Sequence, residues 1–162
     1  MQTLNTLAVD IETYSSVDIR KAGLYKYAEA PDFRVLLFAY SLNGAPPTVV
    51  DLEQGEAIPR EILQHLTSPD TTKTAYNAAF EWYCLKMAGL ATPLEQWRCT
   101  MAQGLYAGYT SGLAAIGEAV GSAQDRRKLS TGTQLSRKFC TPRAPTKNDP
   151  RTRILPHHEP EK

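Results

Sequence analysis

Apolar and polar side chains alternate through Leu7-Ala8-Val9-Asp10-Ile11-Glu12-Thr13. A period of two predicts a strand with Leu7, Val9 and Ile11 on one face and Thr6, Ala8, Asp10 and Glu12 on the other. From Ser15 to Asp32 the alternation is lost. Polar and aromatic residues intermix there, Gly23 and Pro31 interrupt, and an irregular excursion with one helical turn is expected. Residues 34–42 form a continuous apolar run, the pattern of a strand buried on both faces. Asn43-Gly44 and Ala45-Pro46-Pro47 follow, then residues 48–52, which predicts an antiparallel hairpin with a slightly long loop.

The period then changes. Ile58, Ile62, Leu63 and Leu66 fall at helical spacing behind Pro59, a residue suited to a first helical turn, so residues 59–66 read as a short amphipathic helix. Residues 72–76 read as a strand. Asn77 is placed as the N-cap of a helix over 78–88, closed by Gly89, with Phe80, Cys84, Met87 and Ala88 as its apolar stripe. From Trp97-Arg98-Cys99-Thr100 onward the pattern is helical and rich in small residues, with helices over 101–107 and 113–120 and a basic helix over 134–139. The stretch holding Pro142, Pro145, Pro150, Pro156 and Pro160 should lack regular structure. The order strand, hairpin, helix, strand, helix, then helices implies an α/β three-layer fold, a mixed sheet flanked by helices. The division expected is a domain over 1–140 and a basic, Pro-rich tail or linker over 141–162.

Composition agrees with this picture and adds an asymmetry. With 42% hydrophobic and 22% charged residues in 162, the chain has apolar material for one compact domain. No apolar run reaches the roughly 20 residues that span a bilayer, and no secretory signal pattern opens the sequence, so no membrane partner and a cytoplasmic setting are expected. Cys84, Cys99 and Cys140 are odd in number and widely spaced, which argues against a disulfide framework or a zinc site. Residues 1–124 hold 8 basic and 13 acidic side chains, net −5, whereas residues 125–162 hold 10 basic and 4 acidic, net +6. The basic end, with Lys128 as its candidate substrate-binding residue, suits a phosphate backbone, although a solvated linker has the same composition.

The candidate chemistry lies in the acids. Asp10 and Glu12 share one face of a strand about 6.6 Å apart along it, near enough to grip one hydrated divalent cation or a pair. With 17 acidic residues, about two D-x-E-type pairs arise by chance, and Asp51/Glu53 and Glu159/Glu161 are such pairs. Only Asp10/Glu12 follows an alternating apolar run; the alternative is a strand end exposed to water. Behind an Asn77 cap, Glu81 falls near the first helical turn, where the helix dipole favours an anion and a phosphate. Ordinary helix punctuation would also look like this.

Asp10-Ile11-Glu12-Thr13 and Asn77-Ala78-Ala79-Phe80-Glu81, about 65 residues apart and followed by Trp97-Arg98-Cys99-Thr100, resemble the first two motifs of the DnaQ-like (DEDD) 3′-5′ exonucleases. Ser15-Ser16-Val17-Asp18-Ile19 and Gly23-Leu24-Tyr25-Lys26-Tyr27 look like the N-terminal exonuclease domain of phage-type family A DNA polymerases. The resemblance implies a ribonuclease H-like fold, two Mg²⁺ or Mn²⁺ ions at the acidic cluster, and hydrolysis of phosphodiesters at a single-stranded DNA 3′ end beside a polymerase domain in cis or in trans. It implies Asp10, Glu12 and Glu81 as catalytic metal ligands. Thr13 would hold the terminal nucleotide through its backbone, Phe80 would support the site by packing, and Asn77 would fix the helix start.

Two departures stand out. The family's second motif usually ends in Asp, where this chain has Glu81. Its third motif, Tyr or His followed three or four residues later by Asp, is not found: after Val120 the Asp residues are Asp125 and Asp149, neither at that spacing, and no Asp follows His157 and His158. The expectation is a C-terminally truncated domain of impaired activity. The alternatives are a non-catalytic nucleic-acid-binding or polymerase-docking module of the same fold, and an RNase H-type nuclease that cuts internally.

Overall fold

The computed structural model describes residues 4–109, 112–121 and 130–155. Five strands, β1 (Asn5–Tyr14), β2 (Arg34–Leu42), β3 (Thr48–Asp51), β4 (Thr71–Ala75) and β5 (Trp97–Cys99), form one sheet in the order β3-β2-β1-β4-β5. β1 pairs antiparallel with β2 and parallel with β4, so the sheet is mixed and its central strand is the one that carries Asp10 and Glu12. Helices α1 (Ile19–Ala28), α2 (Arg60–Thr67) and α3 (Ala78–Met87) pack on this sheet. Helices α4 (Thr100–Tyr106), α5 (Leu113–Ala119) and α6 (Ser130–Phe139) follow the last strand. Among the described residues no helix is long and apolar enough to cross a membrane.

The alternation along β1 is realised as read. Leu7, Val9 and Ile11 are buried in the main core with Phe38, Val50, Ile62, Leu66, Cys84 and Leu85, while Thr6 and Asp10 on the opposite face are exposed. Transfer of these side chains from water is the main term favouring the fold. Past the acid pair the ladder slips: Glu12 stands opposite Leu37 but Thr13 opposite Val35, so Leu36 forms a bulge. Bulges bend and twist a strand, and this one lies directly beside the candidate site.

Several local expectations are corrected. The segment after β1 is a two-part helix: Asp18 caps it by accepting from the Arg20 N–H at 2.9 Å, and Gly23 breaks it with φ 81. Tyr27 and Ala28 anchor its end in the core. Tertiary burial thus supplies what the weak periodicity hid. In β2 only Leu36 and Phe38 are fully buried, so the strand is not enclosed on both faces. Asn77 is not a side-chain cap. It sits in the left-handed region (φ 81, ψ 51), which Asn tolerates better than most residues, and its carbonyl accepts from the Phe80 N–H at 2.8 Å.

The exit of α3 is as expected. Gly89, φ 87, closes it with the Leu90 N–H on the Leu85 carbonyl at 2.8 Å and the Gly89 N–H on that of Lys86 at 3.1 Å. Its buried face is Ala78, Glu81, Tyr83, Cys84 and Leu85, whereas Met87 is exposed. Trp97–Cys99 is the edge strand β5 rather than the start of a helix. Cys84, Cys99 and Cys140 are free thiols. The Pro-rich segment has no helix or named strand from 141 to 155, yet Arg153 lies 4.4 Å over the Tyr14 ring and pairs with Glu53 at 3.1 Å, tying the segment back to the sheet.

Candidate metal and nucleic-acid site

The polar face of β1 opens into a cleft of about 1100 Å³. Asp10, Glu12 and Thr13 of β1 line it, with Asp18 at the cap of α1, Arg20 of α1 and Phe80 of α3. Residues of α5 and α6, Arg137 among them, line it as well. The cleft is thus lined by two acids of one strand, an apolar ring and two guanidinium groups.

Glu81 does not line this cleft. It is 6% exposed, and its Oε2 has no hydrogen-bond partner. Burial pushes its carboxyl up to about 8, a backbone hydrogen bond opposes the shift, and the nearby charge of Asp10 adds to it. An orphaned buried carboxylate oxygen beside a second acid is costly unless a proton or a cation satisfies it.

Glu12 is turned toward α6. Ser136 Oγ donates to Oε1 at 3.1 Å and to Oε2 at 3.2 Å, and Cys140 Sγ lies 3.5 Å from Oε2. Hard oxygen donors on one strand face, together with the orphaned Glu81 oxygen, fit a divalent cation in kind. Among the described residues, however, no three Asp, Glu, His or Cys side chains are gathered closely enough to hold a metal ion as they stand.

The other predicted residues fall differently. Thr13 is buried and shares a 2.8 Å hydrogen bond with the Tyr27 hydroxyl, so its side chain is committed to the core. Phe80 is half-buried, lines the cleft and lies 6.4 Å from the Tyr27 ring. Asn77 is exposed and does not line the cleft. Lys128, Asp125 and the His157/His158 pair lie outside the described residues. Asp149 is held by Arg151 at 2.8 Å and Arg143 at 2.7 Å, which keeps its carboxyl well below the usual range, the Arg151 hydrogen bond contributing most.

Sequence reasoning missed Tyr27, Ser136 and Cys140. Ser136 on α6 and Cys140 just past its end are four apart and, through the Cys140 N–H on the Ser136 carbonyl, face the same way, a signal present in the sequence but empty until a carboxylate stands opposite. Tyr27 carried no such signal.

The sheet order, the mixed pairing and the acid-bearing central strand define a ribonuclease H-like fold of the kind found in DnaQ-like exonuclease domains. Two solved structures of NrnC from Brucella melitensis share it. One, bound to pGG, has a TM-score of 0.54 at 21% identity, over 77% of this chain and 56% of that one. The other, with bound Mg²⁺, has a TM-score of 0.51 at 21% identity, over 80% and 62%. In sequence the chain is 45% identical over 161 residues to a DNA polymerase of Bacillus phage SP02. That match covers 98% of this chain and 24% of the polymerase, so the chain spans about a quarter of its relative's length. No family model matches it.

Proposed function

We propose that this chain is a 3′-5′ exonuclease module that acts on the 3′ end of single-stranded DNA and serves a polymerase domain in cis or in trans. The observation that carries the reading is the Asp10/Glu12 pair lining an open cleft, in a chain related along nearly its whole length to a phage DNA polymerase. Asp10, Glu12 and Glu81 hold Mg²⁺ or Mn²⁺ in this reading, and the Mg²⁺ in the NrnC structure supports the choice of metal. Bound divalent ions lower the pKa of water and neutralise phosphate charge.

The protein's own groups do the rest. Asp10 and Glu12 offer hard donors from a rigid strand. Glu81, whose burial holds its carboxyl up at about 8, would have to lose that proton to act as a ligand. Phe80 offers an apolar face on which a terminal base can stack, and Arg20 and Arg137 attract the phosphate backbone into the cleft. In this reading Thr13 contacts the terminal nucleotide through its backbone, while its hydroxyl is engaged by Tyr27. Weak hydrolysis is expected, since after Val120 no Tyr or His is followed three or four residues later by Asp.

A second reading, a nucleic-acid-binding module without catalysis, is favoured by the lack of three gathered ligands among the described residues. The two separate on 5′-labelled single-stranded DNA with Mg²⁺ or Mn²⁺. Slow shortening from the 3′ end, lost in Asp10→Ala/Glu12→Ala, is the expected result. Metal-dependent binding without shortening selects the second reading, and internal cuts indicate an endonuclease instead.

A further inference from the structure

Helix α6 and the residue that follows it meet Glu12 through two side chains four positions apart, and their geometry bears on how a cation reaches Glu12. The Ser136 hydroxyl oxygen is nearly equidistant from the two carboxylate oxygens, at 3.1 and 3.2 Å. It therefore sits in front of the carboxylate, where a cation chelated by both oxygens would sit. Cys140 adds its thiol to Oε2 at 3.5 Å. Ser136 of α6 and Cys140 just after it thus engage both oxygens of the Glu12 carboxylate from the side a chelated cation would approach.

The same helix is weakly seated. None of the side chains described in it is buried, and Leu135 is 55% exposed. An apolar cavity of about 290 Å³ separates Leu135 and Phe139 from Leu36, Leu37 and Ile154. The cavity is open to solvent, so these apolar side chains are only partly removed from water and this face contributes little burial. The polar link to Glu12 is consequently one tie between α6 and the sheet.

We infer that α6 is a latch on the candidate metal site, with Ser136 and Cys140 competing against a divalent cation for Glu12. The inference rests on the reading of Asp10 and Glu12 as ligands. A cation that takes Glu12 loosens α6, and a seated α6 weakens cation binding by the same factor, because coupling between two binding events is reciprocal. Neither state requires a chemical step. The latch sets only how much cation the site holds at a given concentration.

The test is an Mn²⁺ titration, read as the electron paramagnetic resonance signal of the free ion, on wild type, Ser136→Ala, Ser136→Ala/Cys140→Ala, Ser136→Thr and Asp10→Ala. Alanine favours helix, so the first two variants keep α6 intact. The expected result is about tenfold tighter binding in the double variant, the size of one charge-assisted hydrogen bond. A smaller gain in Ser136→Ala and wild-type affinity in Ser136→Thr, which keeps the hydroxyl, are expected beside it. Mn²⁺ should also speed hydrogen exchange over residues 131–139 of the wild type. Unchanged or weaker binding in the double variant, with binding still dependent on Asp10, overturns the latch and leaves the metal reading standing. Absence of any Asp10-dependent binding overturns both.

Discussion

The part of the molecule up to Trp97 and the part after it are held together by different physics. Every residue buried among those described lies between Leu7 and Trp97, in or around the sheet. The helices α4, α5 and α6 bury no described side chain, and Tyr106 is 97% exposed on α4. The first part is a close-packed core in which each side chain constrains its neighbours. The second is a set of short helices, of which α5 and α6 line the acid-bearing cleft, joined to the sheet by polar contacts such as those of Ser136 and Cys140 with Glu12. The two regions meet at the Asp10/Glu12 face, so the site has one rigid wall and one adjustable one.

The largest test of that contrast is a pair of truncations. Phe38→Ala removes a fully buried ring from the core and should lower unfolding stability by about 3–5 kcal/mol. Leu135→Ala, a half-exposed side chain of α6, should lower it by about 0.5 kcal/mol or less. Urea denaturation of both variants measures the difference, and comparable losses would remove the distinction between the walls.

A second effect concerns Glu81, the acid inside the rigid wall. Its carboxyl stands at about 8 in the folded chain against an ordinary 4.5. Between those values the folded state keeps a proton that the unfolded state gives up, so stability falls as pH rises from about 4.5 to 8. Each pKa unit corresponds to about 1.4 kcal/mol, which makes the loss a few kcal/mol. Glu81→Gln stays neutral and should flatten this decline in chemical denaturation across pH. A decline of the same size in the variant would place the buried titrating group elsewhere.

Much of the rigid wall was legible in the sequence, because burial imposes a period. The run from Leu7 to Ile11 named the buried face of β1, and Asn43-Gly44 announced the hairpin between β2 and β3. Helix α1 was not legible, since its apolar residues have little helical periodicity and its hold on the core is through Tyr27 and Ala28 at one end. Asp10 and Glu12 were legible as a pair because they interrupt an apolar alternation. The link from Glu12 to Ser136 and Cys140 was not, because it joins positions 124 and 128 apart and depends on where α6 comes to rest.

Asn77 gives the smallest of these effects. Serine is a good N-cap but a poor left-handed residue, so Asn77→Ser should cost about 1 kcal/mol if the backbone at φ 81 is what matters. Asn77→Gly should be neutral to slightly stabilising. Equal stability of the serine variant and the wild type would restore the side-chain cap that the sequence suggested.

The central claim is that the acid pair on β1 is a divalent-cation site, and the melting temperature tests it most directly. A cation that binds only the folded state stabilises it by an amount that grows with its concentration. The account predicts that Mn²⁺ raises the melting temperature of the wild type above that in monovalent salt of equal ionic strength, and that Asp10→Ala abolishes the rise. The same rise in Asp10→Ala as in the wild type would contradict it and take Asp10 out of the site.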